Sequence, residues 1–203
     1  MNNNINVINN SEKDLDVTVN NVDGNIQIII TKKNIDLLSL KQGKAFEVNG
    51  IGYIVLEQLD GNKTAVIRKE LLDDNMIFGS DNNNWKSSDV RRKLNGDYLR
   101  ELEETFGKDR IIEHTVDLLS LDGLDDYGTS TDKVSLLTIE QYRKYRKVLG
   151  ENLNKSWWLA TPDSTPSGYS SRCVQCVYSD GGVDCGVCYW CGKGVRPFFI
   201  IQS

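Results

Sequence analysis

The chain has 203 residues, with 39% hydrophobic and 26% charged content, the balance of a globular protein with one sizeable core. Its formal net charge of -5 argues against a general nucleic-acid binder, since neutralising phosphates takes an excess of clustered Lys and Arg. No apolar run reaches the length of a membrane span and the opening Met1, Asn2, Asn3, Asn4, Ile5 lacks a secretory pattern, so the chain reads as made in the cytoplasm.

Residues 1–37 read as a β-rich N-terminal segment. Leu15, Val17, Val19 and Val22, then Asp23 and Gly24, then Ile26, Ile28 and Ile30 spell a hairpin with alternating faces. A hairpin is marginal alone, so this one is expected to extend the main sheet, pair with a second copy, or attach the chain to a larger assembly. Residues 38–203 read as the main domain. Phe46 to Val48, the turn Asn49 and Gly50, Tyr53 to Leu56, the turn Asp60 and Gly61, and Ala65 to Ile67 predict a three-stranded antiparallel meander.

A helix is predicted next, capped by Ser87 or Ser88, with Val90, Leu94, Tyr98, Leu102 and Phe106 on its apolar stripe, a break at Gly96 and a stop at Gly107. A second helix starts at Thr138, where Gln141 completes a capping box, and runs through Tyr142, Tyr145, Val148 and Leu149 to Gly150. From Trp157 onward the pattern is short β-like pieces, closing in the apolar run Phe198, Phe199, Ile200, Ile201, read as a buried core strand. Strands toward both ends with helices between give an α+β class.

All five cysteines fall between Cys173 and Cys191. Val174, Val177, Val183, Val187 and Val195 are interspersed with the chemically varied set Ser171, Arg172, Cys173, Gln175, Cys176, Tyr178, Asp184, Cys185, Cys188, Tyr189, Trp190 and Cys191. The valines read as a β framework and the varied set as its outer surface, a candidate ligand-binding face over residues 170–193. Tyr and Trp supply large amphipathic contact area there, while Ser and Gly supply adaptability. Two Cys-x-x-Cys units also match zinc spacing, although only eight residues separate them and a fifth cysteine is surplus. A zinc-binding or thiol-redox protein is therefore the alternative, while the binding-face reading requires no metal and no cofactor.

Trp157 to Pro162, Ser179 to Gly181, and Gly194, Val195, Arg196, Pro197, Phe198 resemble the end of a bacterial and phage domain family. Asn84 and Trp85, Ser88 to Arg91, Leu94 and Asn95, and Asp132 to Leu137 resemble the rest of its pattern. That family is similar to the C-type-lectin fold of formylglycine-generating-enzyme-like domains and of variable proteins of diversity-generating retroelements. The resemblance implies a C-type-lectin-like domain whose C-terminal surface is rewritten at adenine positions, a non-enzymatic binding role, and a protein or glycan ligand. It also implies a phage or bacterial setting, with display on a virion or cell surface by another route.

Four further features carry weaker expectations. Asp122, Asp125, Asp126 and Asp132 offer oxygens to calcium without EF-hand spacing, so turn-capping with Tyr127 tucked inward is favoured. His114 is the only histidine and has no sequence-identifiable nucleophile, so a packing role is favoured over catalysis. Of Trp157 and Trp158, one ring is expected in the core and the other at its edge rather than on a sugar platform. Arg196 is expected to form an ion pair, with Asp180 as its candidate partner.

Overall fold

The computed structural model describes residues 15–22, 25–32 and 35–203. In the N-terminal segment, β1 (Leu15–Val22) and β2 (Asn25–Lys32) pair antiparallel from Leu15↔Lys32 to Val22↔Asn25. The expected Asp23 and Gly24 turn lies outside the described residues. The two-residue period puts Val17, Val19, Ile26 and Ile28 on one face, each at least 41% exposed. The pair forms its own two-stranded sheet, so it does not extend the main one.

The meander forms as β3 (Ala45–Val48), β4 (Ile51–Leu59) and β5 (Lys63–Arg68). Asn49 and Gly50 both take positive φ (51° and 76°), the geometry that suits a two-residue hairpin because its twist matches the strands. In the second turn positive φ falls on Gly61 and Asn62, one position later than predicted.

Ser88 accepts a hydrogen bond from the Arg91 backbone N–H at 3.0 Å and caps α1 (Asp89–Lys93). Gly96 leaves helical geometry (φ -107°, ψ -106°) within a wide turn over Leu94–Tyr98, and α2 (Leu99–Phe106) continues to Gly107. The predicted break and stop are both present. Short strands follow: β6 (Ile111–Ile112), β7 (His114–Asp117), β8 (Thr129–Asp132) and β9 (Val134–Ser135). The helix α3 (Ile139–Tyr145) opens with the full capping box, Gln141 N–H to Thr138 Oγ1 at 3.2 Å and Thr138 N–H to Gln141 Oε1 at 2.9 Å. It ends earlier than predicted, because the N–H groups of Val148 and Leu149 both close onto the Tyr145 carbonyl before Gly150 turns the chain.

The last strands are β10 (Trp157–Pro162), β11 (Cys173–Val177), β12 (Val183–Val187) and β13 (Phe198–Gln202). The closing strand is central: β13 pairs with β5 on one side and with β6 and β9 on the other, giving the order β3-β4-β5-β13-β6. A second sheet runs β10-β11-β12, and β7 pairs with β8. Among the described residues every ladder between two of these strands is antiparallel, and the architecture is α+β.

Alternation along β13 divides the core. Phe199 and Ile201 join the cluster holding Tyr53, Trp85, Leu94, Leu102, Trp158 and Val174, while Phe198 joins Ile67, Tyr142, Trp157 and Leu159. Strand β10 feeds both clusters and is buried throughout. Both tryptophans are therefore interior, at 2% and 0% exposure, which corrects the edge position expected for one of them.

Candidate ligand-binding face

The register of β11 with β12 sorts the varied residues by face. Cys173 lies opposite Val187, Gln175 opposite Cys185 and Cys176 opposite Asp184. Because successive side chains alternate, Val174 and Cys176 point toward Trp158 and Val195, whereas Cys173, Gln175 and Cys185 share the other side. Cys176 and Cys188 are fully buried in the core and Gln175 is 2% exposed. These three predicted ligand contacts are supports inside the sheet, not part of its outer surface. The valines also divide: Val174, Val177 and Val195 are buried, but Val183 is 39% exposed and Val187 is half-buried. The interior beneath the face is thus built partly from cysteine, which packs as a small apolar side chain.

The same alternation undoes the zinc geometry. Residues three apart on a strand face opposite ways, so Cys173 and Cys176 diverge. Among the described residues no group of three or more His, Cys, Asp or Glu side chains is arranged to hold a metal. Burial pushes the Cys176 thiol up to about 11. Cys185 is pushed up to about 12, by burial first and then by the nearby Asp163 and Cys173. Thiols so far above neutrality remain protonated and make poor nucleophiles.

A buried asparagine holds the rim. Asn83 donates through Nδ2 to the carbonyls of Ser164 (2.8 Å) and Cys173 (2.7 Å), accepts from the Tyr127 hydroxyl (2.8 Å), and donates its backbone N–H to Ser171 O (2.9 Å). Asp163 then accepts from Gln175 Nε2 at 2.7 Å and from the Tyr169 hydroxyl. This explains how Gln175 is buried at low cost, since its amide is met by a carboxylate. Tyr169, 71% exposed, lies on the side of Cys185. Its hydrogen bond to Asp163 holds its phenol up at about 12. Neither Asn83, Asp163 nor Tyr169 belongs to the predicted face; an exposed Tyr just ahead of Ser170 was the available signal.

The exposed members fall at two ends. The Cys188 N–H donates to Arg172 O at 2.8 Å, which brings Arg172 beside Tyr189 (40% exposed), Trp190 (62% exposed) and Cys191, with Ser171 half-buried behind. Tyr178 and Asp184 sit at the opposite end of β11, about 16 Å away along five residues, with the Tyr178 hydroxyl 3.4 Å from the Asp184 carboxylate. Gly181 holds that end: its positive φ (80°) suits glycine, a Cβ there would collide with Asn152, and its carbonyl accepts from Tyr142 Oη at 2.9 Å.

The remaining candidates have structural partners. Asp122 accepts from the hydroxyls of Ser120 and Ser164, and Asp126 from the Ser167 backbone N–H, which keeps both carboxyls below their usual range. Asp132 turns away from that loop to meet Trp85, Ser130 and Arg91. Tyr127 is tucked inward at 9% exposure. His114 packs edge-on to Phe198 and shares a 2.8 Å hydrogen bond with Ser135. Arg196 does not pair with Asp180; it donates to the carbonyls of Arg68 (3.0 Å) and Lys69 (3.1 Å) and stacks over Trp157. Carbonyls presented by the end of β5 reach the buried guanidinium, and Asp180 is in the exposed turn.

No helix among the described residues is long and apolar enough to cross a membrane. No known protein family, no curated protein and no solved structure matches this chain.

Proposed function

We propose that the chain is a non-enzymatic binding module of C-type-lectin-like fold, with a diversified C-terminal surface that engages a protein or glycan ligand. The observation that carries this reading is the division of one short segment into two populations. Cys176, Cys188, Gln175, Val174 and Val177 are buried, while Arg172, Tyr178, Asp184, Tyr189, Trp190 and Cys191 are exposed. An exposed Trp beside an exposed Tyr suits recognition, since aromatic anchors dominate binding energy. Exchange of such groups alters stability by about 0.5 kcal/mol or less each, because they touch little of the core. The contact surface is Tyr169, Arg172, Tyr189 and Trp190 at one end and Tyr178 with Asp184 at the other; Cys173 and Cys185 are half-buried between, and Ser171 is half-buried behind Arg172. The setting is a variable protein of a phage or bacterial retroelement.

Sequencing sibling copies of the gene, with the DNA around them, tests this. Expected are a near-identical template repeat and substitutions concentrated in the codons of the exposed positions, at adenines. Variation spread evenly over Val174, Val177 and the exposed positions, with no repeat nearby, would overturn it.

A further inference from the structure

The strand register brings together two thiols that belong to different Cys-x-x-Cys units. Cys173 lies opposite Val187 and Gln175 opposite Cys185, so Cys173 and Cys185 are diagonal neighbours on one side of the ladder between β11 and β12. The Cys188 N–H donates to Arg172 O, which makes 172 with 188 a hydrogen-bonded pair. The alternation of the ladder then makes 173 with 187, and 175 with 185, non-hydrogen-bonded pairs, where facing side chains come closest.

The Cys173 and Cys185 thiols interact directly through a side-chain hydrogen bond. Both are free and half-buried, whereas Cys176 and Cys188 are buried in the core with Trp158 and Val195, and Cys191 is exposed beyond the end of β12. Strand β12 ends the order β10-β11-β12. Its outer side therefore pairs with no strand among the described residues that would resist the small shift needed to bond across a diagonal.

We propose that Cys173 and Cys185 form a reversible redox pair, closed to an intramolecular disulfide across β11 and β12 by a small-molecule disulfide of the glutathione class. The Cys173 thiolate attacks one sulfur of the oxidant, giving a mixed disulfide and one small thiol. Cys185 loses its proton to water and attacks the Cys173 sulfur, forming the bond between the two cysteines and releasing the second small thiol. Two cysteine thiols are thus oxidised and one small disulfide is reduced to two thiols. Burial, and then the neighbouring Asp163, make Cys185 reluctant to ionise, so closure quickens as pH rises. The bond braces an edge strand in the middle of the proposed contact surface, but its formation does not depend on that surface binding a ligand.

Incubating the full chain with oxidised glutathione at about pH 8.5, near the ordinary thiol pKa, tests the pair once free thiols are alkylated and peptides mapped without reduction. Expected is a monomeric product lighter by two hydrogens, with Cys173 joined to Cys185, reversed by dithiothreitol, and with Cys176 and Cys188 still reduced. Cys185→Ser, checked for folding by circular dichroism, should lose that product and retain a glutathione adduct on Cys173. Cys191→Ser should leave the yield unchanged. Cys173 and Cys185 left free or carrying only glutathione in the wild-type chain, or a link that runs through Cys191 instead, would each overturn the proposal.

Discussion

Asp132 shows how much one side chain can organise. Its carboxylate is 1% exposed and accepts from Trp85 Nε1 (2.8 Å), Ser130 Oγ (2.8 Å) and Arg91 Nε (2.7 Å), tying the start of the first helix to β8. Removing one member of a buried ionic network leaves its partners uncompensated. Asp132→Ala is expected to lose about 3 kcal/mol in denaturant unfolding, with Arg91 partly rescued by water. His114 offers a pH-dependent counterpart. Burial depresses its pKa from 6.5 to about 4, so the unfolded chain takes up a proton in that window that the folded chain refuses. The stability contributed by the neutral ring is complete above pH 6.5 and is lost as pH falls toward 4, on the order of 3 kcal/mol in total. Stability against pH for wild type and His114→Gln should diverge over that interval; parallel curves would refute the assignment. Neither role is legible in the sequence, where Asp132 reads as part of an acidic loop and His114 as a solitary residue. Distant partners decide both: Trp85 and Arg91 lie 47 and 41 positions from Asp132, and Ser135 lies 21 positions from His114.

At the scale of elements, local chemistry was largely legible. The Thr138 and Gln141 capping box, the Ser88 cap, the Gly96 break and the Asn49 and Gly50 turn depend on neighbours within a few residues, and each forms as its residues dictate. Thr138→Ala should cost about 1 kcal/mol, measured by thermal unfolding. Strand β11 was only half legible. Alternation there gives which residues share a side, but not that both sides are covered, one by Trp158 and Val195 and the other by Asp163 and Tyr169. That is why Cys176 and Gln175 read as surface and fold as interior. Cys176→Ser and Cys188→Ser, which place hydroxyls in apolar surroundings, should each lose about 1–3 kcal/mol. Cys191→Ser, in the exposed loop, should stay within about 0.5 kcal/mol. Equal costs at all three positions would place the thiols in one common environment, contrary to their burial.

Across the whole molecule, the last strand is the keystone of the larger sheet: β13 pairs with β5, β6 and β9, so distant segments of the domain meet on it. The apolar run announced a core strand, but its central place rests on non-local pairing that periodicity does not encode. The same arrangement explains how a changing surface is compatible with a fixed fold, because the three-stranded sheet rests on β10, which is buried on both sides. The most direct measurement uses two displayed libraries sorted for protease resistance, one randomised at Arg172, Tyr178, Asp184, Tyr189 and Trp190, the other at Val174, Gln175, Cys176 and Cys188. Most members of the first should remain folded and most of the second should be lost, whereas similar losses from both would contradict the separation of display from support.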